Sequence, residues 1–336
     1  MPERKDSRLT AVLVIGSSLL LSLFTVFLHA KAMGRAYVEA YQVPRHVAML
    51  AGTGGNPWQY RVLSAWVVEG VHRLFDVLHV PHSLIAAFLA VRVGEETLMF
   101  AVAWAYWRAL GIAANPALLG IAILGWSVSY ANFGSDFQFN TYFDVLFYLL
   151  AGLAVVRGRW WWIAPITLLA ALNRETSGFI PLLPLAAAWR DSPAARARAI
   201  RIAVISLAAY AVVFVGLRMA YGRQDLIIPY GHKPGLDLLH YNVARARTWV
   251  QLVGTLSIVP ILALLSYRSW PRTLRAFGWL VVPAWFAIHW VIAVMSETRL
   301  LLVPMALVLV PAALLIFRTE GSEEAMRAPG AGAAAA

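Results

Sequence analysis

The 336-residue chain is 60% hydrophobic, only 13% charged and free of cysteine, with a mean hydropathy of +0.67. A water-soluble domain of this length cannot hide that much apolar surface, so the chain belongs in lipid; without cysteine, disulfides, thiolate catalysis, iron–sulfur clusters and cysteine-type zinc sites are excluded. The formal charge of +11 leaves three uses for basic residues in a membrane protein: orienting the chain, holding anionic headgroups, or binding a phosphorylated substrate.

Arg4, Lys5 and Arg8 precede an apolar run over residues 10–30, and Ala30-Lys31-Ala32 resembles a cleavage site. The run is longer than the roughly 7–15 residues of a signal-peptide core, so it reads as a retained first helix. Residues 31–83 follow as an outer loop holding Glu39, Tyr41, a turn at Gly52-Thr-Gly-Gly-Asn-Pro57, and Trp58-Gln59-Tyr60-Arg61. An arginine flanked by aromatic rings suits a lipid phosphate, and equally a plain aromatic anchor. From Val62 to Val80 apolar residues recur at an approximate i, i+3, i+4 spacing, which predicts an amphipathic helix lying along the outer interface. His79-x-x-His82 has metal-ligand spacing but no adjacent carboxylate, so no metal site is assigned. No cofactor is implied, and a divalent cation is left open.

Further apolar runs predict helices over 84–108, 112–131, 137–156, 160–172, 177–190, 200–220, 248–267, 277–295 and 299–317. The expected fold is all-α: a polytopic transmembrane helix bundle of about ten spanning segments, with short hairpin helices over 160–190. It forms a single domain over 1–317, with long outer loops at 31–83 and 221–247. Residues 318–336 have no amphipathic pattern and read as a disordered cytoplasmic tail.

Short loops set orientation. Arg157 and Arg159, the Arg190–Arg201 cluster, and Arg268, Arg272 and Arg275 all fall on the side of the N-terminus, which the rule makes cytoplasmic. Both termini then lie inside, and all eight histidines, from His29 to His289, lie in the outer half.

Polar residues gather towards that outer face. The runs over 160–172 and 177–190 are too short to span about 30 Å of hydrocarbon, so Asn173-Arg174-Glu175-Thr176 between them should lie below the outer surface. Charges at that depth are functional candidates by default. Ser296-Glu297-Thr298-Arg299 repeats the design, and two such turns on one face suggest one shared site. The plainer reading is that they bridge helices, Glu297 to Arg174 and Glu175 to Arg299. Asp136, Asn140 and Asp144, at i, i+4 and i+8, share one helix face. Asp144 lies two turns deeper than Asp136 and is the better candidate for a general base, because Asp136 can also act as a helix N-cap. Arg92, Glu95 and Glu96 have the spacing of a self-neutralising buried group.

The order of these motifs resembles that of bacterial GT-C-type glycosyltransferases, multi-spanning proteins that take a sugar from a polyprenyl-phosphate carrier outside the cytoplasmic membrane. The elements carrying the likeness are Tyr60-Arg61-Val-Leu63 in the first outer loop, Asp144 in the fourth helix, Leu172-Asn-Arg-Glu-Thr176, Asn242 in the second outer loop, and Glu297-Thr-Arg299 before a proline-containing last helix. The likeness spans nearly the whole chain through short motifs. It departs at the first loop, where such proteins usually carry a catalytic aspartate and this chain offers only Glu39.

What the resemblance implies is transfer of a sugar from a polyprenyl-phosphate-linked donor to a glycan, lipid or protein acceptor at the outer face of a bacterial inner membrane. Asp144, Glu39 or Asp136 would be the base. Tyr60, Gln59, Arg61, Asn140, Asn173, Arg174, Glu175, Asn242, Glu297 and Arg299 would bind substrate. Nucleic acid is no partner in this reading. A lipid-linked glycan flippase, a small-molecule transporter and a non-catalytic assembly subunit remain the competing readings.

Overall fold

The computed structural model describes residues 2–131, 136–228 and 231–317. Helix accounts for 82% of it, with no strand among the described residues, so the backbone satisfies its polar groups locally, as a bilayer interior demands of an unclosed chain. Ser135 and the tail over 318–336 lie outside the described residues.

The helices, in order, are α1 (Pro2–Met33), α2 (Val43–Leu50), α3 (Val62–Val77), α4 (Ser83–Ala109) and α5 (Ala114–Ala131). Then come α6 (Phe139–Val156), α7 (Ile163–Ala171), α8 (Leu182–Ala188), α9 (Pro193–Tyr221) and α10 (Leu236–Ala244). The chain continues through α11 (Ala246–Leu256), α12 (Val259–Leu265), α13 (Arg272–Ile292) and α14 (Thr298–Phe317).

Six of the ten expected spans are helices long and apolar enough to cross a membrane: Thr10–Met33 of α1, and α5, α6, α9, α13 and α14. The other four differ for identifiable reasons. Helix α4 has the length, at 27 residues, but carries Arg92, Glu95 and Glu96 in its middle. Helices α7 and α8, of nine and seven residues, rise only about 14 and 11 Å. The run over 248–267 is not one helix: α11 and α12 meet at 59°, with Ser257 at φ +50° between them and Pro260 in the first turn of α12. The outer loops are also more helical than expected. Helix α3 matches its amphipathic pattern, whereas α2 and α10 are further helices within the long loops, where the sequence carried no helix expectation.

The surface of the bundle is that of a protein in lipid. On α1 a stripe of Val14, Ser18, Ser22, Thr25, Val26 and His29 is buried, while Val12, Ile15, Leu20 and Phe27 on other faces are exposed. The inward stripe is polar where it faces α4, with Thr25 donating to Glu96, while Ser22 donates to the Ser18 carbonyl of its own helix at 2.7 Å.

Helices α6 and α14 fill the centre, α14 being the most deeply buried of the long apolar helices. Their axes come close at Gly152, where a methyl group would meet the Leu307 side chain at 2.8 Å. Helix α14 carries Pro304 and Pro311, neither of which donates a backbone hydrogen bond. The Leu300 and Leu307 carbonyls, one helical turn earlier, lose their partners as a result. Trp285 Nε1 donates to Leu300 at 2.5 Å and Tyr106 Oη to Leu307 at 2.9 Å. A π-helical turn over Met305–Leu309 frees a further carbonyl, Ala306, which accepts from Trp107 Nε1 at 2.9 Å. Aromatic donors on two neighbouring helices thus repair the last one, as spans containing proline require.

The basic turns converge at one end of the bundle through direct contacts. Arg198 donates to the Gly158 carbonyl and lies over the Trp160 ring, Arg272 pairs with Asp191 at 2.9 Å, and Arg275 donates to the Arg268 carbonyl at 2.6 Å.

Candidate functional site

At the opposite end, the first long loop is clasped onto the start of α6. Gln42 accepts from the Phe137 backbone N–H at 3.2 Å, and His29 packs edge-on against Phe137. The two long loops are joined to each other: Asn56 exchanges backbone hydrogen bonds of 2.9 Å with Asp225 and Ile227, and Tyr60 Oη donates to the Gly222 carbonyl at 2.8 Å.

The turn between α7 and α8 is irregular backbone in the protein interior, and side chains satisfy four consecutive carbonyls of it. Asn140 donates to Asn173 at 3.3 Å, Ser177 to Arg174 at 2.7 Å, Tyr210 to Glu175 at 3.0 Å and Tyr148 to Thr176 at 2.6 Å. Asn173 returns a bond to the Asn140 carbonyl at 2.8 Å. That web fixes Arg174 and Glu175 against α6.

Four arginines and four carboxylates meet here. Asp136 accepts from Arg45 and from Arg299 at 3.1 Å; Arg299 also holds Glu297 at 2.6 Å. Arg61 grips Glu175 through Nε and Nη2 at 3.1 and 2.8 Å. Asp144 accepts from Thr176 Oγ1 at 3.1 Å and faces Arg174 Nη1 at 3.5 Å. The Trp58 ring lies between Arg45 and Arg61, with its centroid 4.9 and 5.2 Å from the two guanidinium carbons. Arg61 and Arg299 are each close enough to Arg174 to act on it electrostatically.

The bridging pairs expected from the sequence are replaced by others. Glu175 pairs with Arg61 rather than Arg299, and Glu297 with Arg299 rather than Arg174, because each arginine takes the carboxylate nearest its own turn or across the loop contact.

One pair is incompletely satisfied. Asp144 is 1% exposed and Arg174 8%, yet Oδ1 of Asp144 and Nε of Arg174 have no hydrogen-bond partner among the described residues. Leaving buried polar groups unmade costs about 1–3 kcal/mol each, and more when they are charged. Such groups in an otherwise bonded site are what a ligand would satisfy.

Asp136, Asn140, Asp144, Arg61, Asn173, Arg174, Glu175, Glu297 and Arg299 are therefore brought together. Four other expected residues are not. Glu39 is half exposed and pairs with Arg35 at 2.7 Å, outside the cluster. Gln59 donates to the Met49 carbonyl and accepts from Gly54, which fixes the loop turn. Tyr60 links the two outer loops. Asn242 donates to the Trp290 and Ala293 carbonyls and accepts from Met295, tying down the end of α13.

Arg45 and His289 are members that sequence reasoning missed. His289, buried on α13 with Nδ1 2.8 Å from the Trp285 carbonyl, lies within electrostatic reach of Arg174 and Arg61. Its place among the outer histidines was its only signal.

The Arg92 group is also not self-neutralising as expected. Arg92 pairs with Glu96 at 2.6 Å and its guanidinium carbon lies 3.1 Å from the Tyr142 ring centroid, but both oxygens of buried Glu95 lack partners among the described residues. His79 and His82 form the turn between α3 and α4, each with positive φ. Among the described residues no group of three or more His, Asp or Glu is placed to hold a metal ion.

The chain matches no protein-family model, no curated protein and no solved structure.

Proposed function

We propose that this cluster binds the phosphate of a polyprenyl-phosphate-linked sugar and that the chain transfers the sugar to an acceptor hydroxyl at the outer face of the membrane. The observation that carries the reading is the buried Asp144–Arg174 pair, whose free Oδ1 and Nε stand beside Arg61 and Arg299. A base and a cation poised side by side below the surface are what the chemistry needs.

In the reaction, Asp144 accepts the proton of the acceptor hydroxyl. The freed oxygen attacks the anomeric carbon, the bond from that carbon to the phosphate oxygen breaks, and the polyprenyl phosphate departs with the electron pair. Arg174 and Arg61 meet the negative charge that builds on the leaving phosphate, in a site where water does not screen it. The cavity between Trp58, Asp136 and Asn140, one turn outward from Asp144, has a volume of about 30 Å³. That is room for a water molecule rather than a sugar, so donor entry requires the joined outer loops to part from α6.

The test is transfer by purified protein in liposomes supplied with a polyprenyl-phosphate sugar. Arg174→Ala is expected to lower the rate roughly 10²-fold or more, and mass spectrometry of lipid retained on purification should find a polyprenyl phosphate. Normal turnover by a folded Arg174→Ala protein would remove the reading.

Because every arginine of the cluster faces a carboxylate, one specific observation also favours a purely architectural role. The exchange Arg61→Glu with Glu175→Arg separates the two: it preserves activity if the pair only joins the loop to the turn, and abolishes it if Arg61 binds phosphate.

A further inference from the structure

A much larger cavity lies away from that cluster. It has a volume of about 740 Å³ and lies at the other end of the bundle, between the end of α8 and the start of α13. From Arg272 to His289, α13 rises about 26 Å, so this cavity and the Arg174 cluster lie near opposite membrane boundaries.

Three arginines, Arg190, Arg272 and Arg275, and three tryptophans, Trp189, Trp270 and Trp279, line it. Asp191 pairs with Arg272 at 2.9 Å, so three cations and one anion leave two net positive charges, those of Arg190 and Arg275. Arg275 donates from Nη2 to the Arg268 carbonyl at 2.6 Å, lies over the Tyr267 ring, and has a buried Nε with no hydrogen-bond partner among the described residues. Trp279 donates to Tyr267 Oη at 3.0 Å and is 71% exposed, as a ring at the lipid–water boundary is. The inner wall is apolar, formed by Ala186, Ala187, Ala276 and Leu280.

We propose that this cavity is a binding site for the phosphate headgroup of an anionic membrane phospholipid, with Arg190 and Arg275 on the phosphate and the apolar wall along the first part of the acyl chains. Charge decides for an anion. The combination of an apolar floor, boundary tryptophans and a position at the end of a membrane-length helix decides for a lipid over a soluble phosphate. A surface that merely follows the positive-inside bias needs arginines but no cavity; here the two coincide. The site is independent of glycosyl transfer.

The experiment is native mass spectrometry of the full chain released from nanodiscs holding equal phosphatidylglycerol and phosphatidylcholine. The wild-type protein is expected to retain phosphatidylglycerol selectively. Each basic residue near a membrane surface contributes about a fivefold preference for anionic lipid, so the double variant R190Q/R275Q should lose roughly 30-fold in retention. A second variant, Ala276→Phe, keeps every charge but fills the cavity, and it too should lose retention; monodisperse elution and an unchanged melting temperature establish that both are folded. Retention unchanged in either folded variant overturns the proposal: in the first case the arginines are not the contacts, and in the second the attraction is diffuse and needs no cavity. Displacement of the lipid by millimolar inorganic phosphate would also overturn it, by making the ligand a soluble anion.

Discussion

At the scale of single residues, Asp144 can be separated from its surroundings more cleanly than any other member of the cluster. Asparagine in its place still accepts from Thr176 and keeps the shape of the side chain, but it cannot take a proton. Asp144→Asn also leaves buried Arg174 without its counter-charge, which can cost about 3–5 kcal/mol. Transfer is therefore to be measured on protein shown to be folded, where it should fall roughly 10²–10⁴-fold, the range for losing a general base; normal turnover by the folded variant would make Asp144 architectural. His46 and Glu69 offer a second residue-level test, outside the spans. Burial holds His46 below its ordinary 6.5. The hydrogen bond from Arg73 holds Glu69 below its ordinary 4.5, against the opposing effect of burial. Each group binds protons more weakly folded than unfolded, so stability rises with pH wherever they titrate. Acidification from about 6.5 downward should weaken the fold, first through His46 and then, near and below 4.5, through Glu69. In His46→Gln the upper part of that slope should flatten, as read by thermal melting in detergent at stepped pH; an unchanged slope would assign it to other groups.

At the scale of the helix, α14 is held by groups that do not belong to it. Trp285→Phe fills nearly the same space but leaves the Leu300 carbonyl without a donor in the core, which should cost about 1–3 kcal/mol. The same change at exposed Trp279 should cost far less. Comparable melting temperatures for the two variants would show that the Leu300 carbonyl, which Pro304 leaves without a backbone donor, is satisfied in some other way. None of this repair was visible in the sequence, because a hydropathy window registers that a run is apolar and not that its backbone is broken. The same blindness joined α11 to α12 across Ser257. By contrast α3 was legible, since its apolar spacing repeats over four turns, and so was the buried hairpin turn, since two runs too short to span leave their junction inside. Asp144, Arg174 and Arg299 were legible as charges in apolar sequence. Arg45 was not: it stands in a stretch that reads as loop but forms the start of α2, and its partner Asp136 is 91 residues away. The pairing of Arg61 with Glu175 was hidden for the same reason, because pairing depends on how loops close over the bundle.

At the scale of the whole molecule, the two ends differ in charge balance rather than in the number of charges. In the cluster around Asp144 every arginine has a carboxylate, and the end carrying Arg157, Arg159, Arg196, Arg201 and Arg268 is basic with Asp191 as its anion in the contacts described. Lys and Arg in short loops resist translocation, whereas long loops cross largely regardless of their charge. The proposed transfer needs the Asp144 cluster on the outer side, the placement that this rule favours. Reporter fusions ending at Arg196 should accordingly read cytoplasmic, and fusions ending at Gly231 should read extracytoplasmic. The reverse result would turn the cluster towards the cytoplasm, where a carrier-linked sugar displayed on the outer leaflet could not reach Asp144, so the proposed transfer would fail with it. The lipid site between α8 and α13 would survive that result but would then face the outer leaflet, and retention of phosphatidylglycerol by native mass spectrometry would be the same in either orientation.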